Sequence, residues 1–239
     1  MDDPTVSQAV PVFGPYSGAN PNRFIGKVFF TLPNGQDSKC SGSVVNASNR
    51  SMVSTAAHCL YPDGRSGGAV RNFAFVPAAY AGTTPLGVWT PRNLFVPRRW
   101  AEEPHITQFD FGAAIMTRDP AGRGIQDVLG AFYVQRNLGD AFVDAIGYPE
   151  EGRFNGQPIM QWYCAGYSKM LDSRTERSLK CDFLPGASGG PWYRTVRPFP
   201  TLPPIWYLRG QTSTYGAGTT YSPYFGDGVF SFYQQAGSR

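Results

Sequence analysis

A serine set among glycines, Leu184-Pro185-Gly186-Ala187-Ser188-Gly189-Gly190-Pro191, and a histidine in Ser54-Thr55-Ala56-Ala57-His58-Cys59 are the residues of this chain best suited to do chemistry. A serine hydroxyl is a weak nucleophile until a base takes its proton and backbone N–H groups hold the oxyanion that its attack creates. Glycines on both sides of Ser188 allow a sharp turn and let main-chain donors come close to a reacting carbonyl, which a Cβ would obstruct. His58 is one of only 2 histidines available as the base. Between these segments, Gln108-Phe109-Asp110-Phe111-Gly112-Ala113-Ala114-Ile115 surrounds an acid with apolar residues that draw it inward. A carboxylate taken out of water needs a partner, and the imidazole of a base is the obvious one.

The elements that must position these groups read as short strands. Residues 1 to 22 are rich in Pro, Gly, Ser and Asn and read as an extended N-terminal arm. Strand signals then begin at Phe24 to Leu32 and continue at Ser41–Val45, Ser51–Ser54, Phe73–Val76, Gly87–Thr90 and Asp110–Met116. Asp119-Pro120-Ala121-Gly122-Arg123-Gly124 reads as a linker. A second series follows at Ala131–Gln135, Asp140–Tyr148, Ile159–Ala165, Ser178–Phe183, Pro191–Arg194, Trp206–Thr214 and Gly228–Phe232. Two runs of about six strands predict an all-β protein of two antiparallel six-stranded β-barrels, residues 23–120 and 121–239, together one functional domain. His58 and Asp110 precede the linker and Ser188 follows it, so the site is expected in the cleft between the barrels.

Composition excludes several other classes. Charged residues make up 16%, while Gly (28) and Pro (21) are plentiful, which disfavours long helices. The net charge of +4 is dispersed, with Arg98-Arg99 the one adjacent basic pair, so nucleic acid is not an expected partner. No apolar run approaches the ~20 residues that span a bilayer, and no membrane role is expected. The first residues, Met1-Asp2-Asp3-Pro4, lack the basic and apolar regions of a signal peptide, so the chain reads as mature or trimmed. Cys40, Cys59, Cys164 and Cys181 include no Cys-x-x-Cys pattern, which argues against structural zinc and leaves three disulfide connectivities open.

The order His58, Asp110, Ser188, with Thr55-Ala56-Ala57-His58-Cys59 and Gly186-Ala187-Ser188-Gly189-Gly190-Pro191, resembles the chymotrypsin-like serine proteases, and most closely their short secreted bacterial members. The resemblance implies a two-barrel secreted endopeptidase that acts on peptide or protein substrates, as a monomer and without metal or organic cofactor. It makes Ser188 the nucleophile, His58 the base, Asp110 the orienting acid, and the N–H groups of Gly186 and Ser188 the oxyanion hole. It also implies the pairings Cys40 with Cys59 and Cys164 with Cys181. By count from Ser188, Asp182 matches the acid at the base of a trypsin-like specificity pocket, and Asp227, in a segment similar to the family's last strand, competes for that role. Either would favour cleavage after Arg or Lys. Ala187 departs from the pattern, because animal enzymes place there an aspartate that pairs with a freed N-terminal amine. The oxyanion loop is therefore expected to be held locally.

Each of these residues also has a plainer reading. Ser188 could be a turn serine, and a protein of this fold that binds peptides without useful turnover would carry the same residues. Phe, Tyr and Trp at 15% could form a carbohydrate-binding surface, although alternation along strands assigns most of them to packing. His105, in Pro104-His105-Ile106, stands in no motif and is expected to take no part.

Overall fold

A computed structural model describes residues 5–18 and 20–239. Seven strands precede the linker: β1 (Val6–Val12), β2 (Ile25–Thr31), β3 (Asp37–Val45), β4 (Met52–Thr55), β5 (Arg71–Pro77), β6 (Pro91–Phe95) and β7 (Gly112–Met116). Eight follow it: β8 (Tyr133–Val134), β9 (Ala141–Gly147), β10 (Gln161–Met170), β11 (Glu176–Lys180), β12 (Pro191–Val196), β13 (Ile205–Gln211), β14 (Thr214–Gly216) and β15 (Thr219–Pro223). They form a 6-stranded sheet in the order β5-β2-β3-β4-β7-β6 and a 9-stranded sheet in the order β14-β15-β11-β10-β9-β12-β13-β8, with β1 added against β10. These are the two barrels of the expected all-β fold. Among the described residues, no helix is long and apolar enough to cross a membrane.

The structure corrects four expectations. The second barrel has nine strands rather than six, and its β8 joins β13 in parallel. The N-terminal arm includes a strand, β1, which pairs with β10 of the second sheet through Val10↔Tyr163 and Val12↔Gln161; Met1–Pro4 lie outside the described residues. Gly87–Thr90 contributes only the bridge from Trp89 to Phe75, and the strand there is β6. Gly228–Phe232 is part of a C-terminal helix, Asp227–Gly237, that buries Val229, Tyr233 and Ala236 at helical spacing.

Packing joins the halves. The larger core takes Val28, Val44, Val53 and Ile115 from the first sheet together with Phe132, Ile146, Leu208 and, from the C-terminal helix, Tyr233. A second core gathers Val143, Leu179, Phe183, Ala187 and Trp192 around Cys164 and Cys181. The first sheet therefore carries the terminal helix of the second half, while the second sheet carries the N-terminal strand. This exchange fixes the two barrels against each other. Aromatic residues serve mainly this packing: Trp89, Trp100, Trp162 and Trp192 are all buried. Cys40 pairs with Cys59 and Cys164 with Cys181, as the resemblance implied.

Candidate active site

His58 lies in a 3-10 turn, Ala57–Cys59, that ends β4, and the Cys59 bridge to Cys40 of β3 pins the turn to the sheet. Such a bridge stabilises by about 2–4 kcal/mol. Asp110 caps a second 3-10 turn, Thr107–Phe109, immediately before β7, which pairs with β4 through Thr55↔Gly112. Base and acid thus emerge side by side from neighbouring strands. The His58 N–H donates to Asp110 Oδ1 at 2.9 Å, and His58 Nδ1 lies 2.8 Å from Asp110 Oδ2. Asp110 is 1% exposed, whereas the His58 side chain remains 32% exposed and can reach a substrate.

Burial by itself raises the Asp110 pKa, but the adjacent His58 charge and hydrogen bonds from His58 and Ser213 outweigh it and hold the carboxyl below its ordinary range. Burial likewise lowers the His58 pKa, yet the Asp110 charge and hydrogen bond prevail and hold the imidazole above its usual value. A carboxylate and a base so matched favour the Nδ1–H tautomer, which leaves Nε2 free to accept a proton.

The Ser188 loop comes from the second sheet, between β11 and β12. Ser188 C=O accepts from the Ser41 N–H at 2.7 Å, and the Gly189 N–H donates to Thr212 C=O at 2.7 Å. Gly189 has φ +81°, and a Cβ there would lie 2.3 Å from Ser41 C=O, 2.3 Å from Thr55 Oγ1 and 2.9 Å from Ala56 N. Only glycine lets the residue after Ser188 press against the segment that leads into His58. Among the described residues, no protein acceptor takes the N–H of Gly186 or of Ser188. Ala187 is fully buried, and a Cβ on Gly147 would come within 2.9 Å of its side chain, so an aspartate has no room there.

One segment that the sequence reading passed over ties Asp110 to the Ser188 loop. Ser213 Oγ donates to Asp110 Oδ2 at 2.5 Å, Gln211 Nε2 donates to Asp110 C=O at 3.2 Å, and Thr212 between them receives the Gly189 N–H. Gln211-Thr212-Ser213 has no motif to announce it; only the folding of β13 beside β12 brings it there.

Neither acid proposed for the specificity pocket offers a free carboxylate. Asp182 lines a cleft of about 400 Å³ with Phe183, Leu184, Tyr215 and Thr219. Its oxygens, however, are engaged by Arg153: Nε to Oδ2 at 2.8 Å and Nη2 to Oδ1 at 3.0 Å, with the Ala9 N–H adding a third bond to Oδ1 at 2.7 Å. Asp227 begins the C-terminal helix, where it pairs with Arg136 and Asn137 and does not line that cleft. Both acids expected at the pocket are therefore paired with an arginine. A second cavity, of about 410 Å³, lies against the C-terminal helix, and its lining of Ala47, Tyr133, Phe230, Tyr233 and their neighbours contains no histidine or carboxylate. His105 is 71% exposed and lies 3.7 Å from Asp63, away from the other groups.

Among the described residues, the side-chain groupings with the makings of a metal site are Cys40, His58, Cys59 and Cys164, Cys181, Asp182, but their cysteines are taken up by disulfides.

Two joined β-barrels, with His58 bonded to a buried Asp110 and the glycine-flanked Ser188 loop packed against the segment that leads into His58, define a protein of the chymotrypsin-like class. Protease Anisep from Arthrobacter nicotinovorans is similar over 92% of this chain and 97% of its own, with 34% identity and a TM-score of 0.79. The thermostable serine protease AL20 from an extremophilic microorganism is 30% identical over 91% of this chain and 98% of its own, also with a TM-score of 0.79. A Glu endopeptidase shares the fold at 18% identity, with a TM-score of 0.76 over 97% of both chains. No protein-family model and no curated protein matches the sequence. The chain belongs to the chymotrypsin-like serine proteases.

Proposed function

We propose that the protein is a secreted serine endopeptidase working through the triad Ser188, His58 and Asp110. Ser188 Oγ attacks the scissile carbonyl while His58 Nε2 takes its proton; His58 then returns that proton to the leaving amine, and water hydrolyses the acyl-enzyme by the same route. Asp110 holds the imidazole tautomer and stabilises its cation. The Gly186 and Ser188 N–H groups bind the oxyanion, each donor contributing about 2.7–4 kcal/mol on the scale of comparable sites. The single observation that carries the reading is the buried Asp110 bonded to both the ring and the backbone of His58, at 2.8 and 2.9 Å. Two disulfides support an oxidising, extracellular setting.

The cleft lined by Asp182, Phe183 and Leu184 takes uncharged side chains in preference to Arg or Lys, because Arg153 pairs with Asp182. The test is labelling with a fluorophosphonate together with digestion of a diverse peptide mixture. Labelling at Ser188 and cuts that are lost in Ser188→Ala and His58→Ala are expected. A Ser188→Ala protein with near-native activity would refute the triad, and cuts mainly after Arg and Lys would refute the pocket reading.

A further inference from the structure

Ala187 offers no carboxylate to an N-terminal amine, and the oxyanion loop is held by hydrogen bonds to its neighbours. The decisive peptide is Pro185–Gly186. In a planar trans peptide the C=O and N–H point in opposite directions, so whatever holds one aims the other. Pro185 C=O accepts from the Glu150 N–H at 2.9 Å, which turns the Gly186 N–H away from Glu150. The same segment lies against Gly186 itself: φ there is +98°, and a Cβ would stand 2.5 Å from Tyr148 C=O and 3.2 Å from Glu150 N. Ser41 Oγ completes the support, donating to Gly186 C=O at 2.8 Å and accepting from the Tyr148 N–H at 2.9 Å.

What holds Tyr148–Glu150 in turn is a lysine in the floor of the first barrel. Lys27, on β2 directly across from Ser41, is 1% exposed, and its ammonium pairs with the Glu150 carboxylate. The same ammonium stands 5.8 Å from the centre of the Tyr148 ring, and the Tyr148 hydroxyl accepts from Gln161 Nε2 at 3.1 Å. Lys39, half exposed, also pairs with Glu150 from the adjoining strand. A lysine buried in a strand bears a large desolvation cost, and an apolar residue of similar volume commonly serves stability as well or better. Its ion pair therefore has a use other than stability.

We propose that Lys27 and Glu150 are positioning residues: their ion pair clamps the Tyr148–Glu150 segment so that the Gly186 N–H stays aimed at the oxyanion. The inference rests on Gly186 and Ser188 being the oxyanion donors. It assigns the support of the oxyanion loop to an internal lysine of the first sheet.

The test compares Lys27→Met, Glu150→Gln and the double variant, which leaves no unpaired buried charge, each checked by thermal unfolding. Losing one oxyanion donor outright costs ~10²–10³ in kcat, so loosening it is expected to cost roughly 10–100-fold, with KM changed less than about twofold. Affinity for a peptide aldehyde, whose adduct needs the oxyanion hole, should fall by the same factor, while affinity for an amine-side product peptide, which presents no carbonyl or carboxylate to the hole, stays constant. If the folded double variant keeps kcat and aldehyde affinity within twofold of the parent, the clamp is wrong. Equal losses for the aldehyde and the amine-side product would also overturn it, since they indicate general damage to the cleft. Failure of the triad itself has a separate signature, activity surviving in Ser188→Ala.

Discussion

Replacing Asp110 with Asn removes one charge and almost nothing else, and the hydrogen bonds around it show how much should follow. Asp110 Oδ1 accepts the His58 N–H at 2.9 Å, while Oδ2 accepts from Ser213 Oγ at 2.5 Å and faces His58 Nδ1 at 2.8 Å. An amide has one oxygen to offer. If that oxygen keeps the His58 backbone N–H, the amide NH₂ turns toward Nδ1 and makes that nitrogen an acceptor. The ring proton then sits on Nε2, the atom that must receive the Ser188 proton. The opposite flip sets two N–H donors against each other in a buried site. Loss of the tautomer, and of the anion that stabilises the imidazolium, is worth ~10⁴ in kcat for this kind of triad, about 5 kcal/mol of transition-state stabilisation. The pH profile should move as well. His58 must be neutral to act, so kcat/KM rises with pH through its folded pKa. Asp110 holds that pKa above the ordinary value against the opposing effect of burial, so in the Asn variant the acid limb should shift to lower pH. Stopped-time assays of a peptide amide from pH 5 to 9, with thermal unfolding to verify the fold, measure both effects. A folded Asp110→Asn protein with activity within tenfold of the parent, or with an unmoved acid limb, refutes the assignment.

Two further outcomes are expected. Ser213→Ala removes one hydrogen bond to a buried carboxylate, a loss of about 1.5–3 kcal/mol that should lower the unfolding midpoint by roughly 3–10 °C; an unchanged midpoint means that Ser213 does not support Asp110. Arg153→Leu uncovers the Asp182 charge beside the 400 Å³ cleft, so the ratio of kcat/KM for lysine over leucine substrates should rise at least tenfold, and an unchanged ratio places Asp182 outside the reach of the bound side chain.

Most strands were legible because their signals are local. Phe24 to Leu32 alternates, Pro33-Asn34-Gly35 turns, and β2 and β3 pair across that turn from Thr31↔Asp37 to Ile25↔Ser43. The errors fall where local signals conflict. Gly228-Val229-Phe230-Ser231-Phe232 suits a strand in a five-residue window, but Val229, Tyr233 and Ala236 fall on one face of the helix that forms. The hairpin of β14 and β15 was hidden because Tyr215-Gly216-Ala217-Gly218 reads as loop, although Gly218 supplies the positive φ, +68°, that its turn requires.

The sequence by itself singled out the candidate groups Ser188, His58 and Asp110, because a nucleophile, a base and an acid each need a particular side chain, and the glycines around Ser188 leave a trace in the chain. It also determined the two-barrel plan, through short strands with frequent turns. Tertiary structure alone decided what those groups experience. Arg153 lies far from Asp182 in sequence yet takes both of its oxygens, which compensates the charge of that acid. Ser213 reaches Asp110, and Lys27 reaches Glu150, only because the strands of the two barrels bring distant segments together. Charge compensation and hydrogen bonding act within a few ångströms of space without regard to sequence separation, so no local pattern records them.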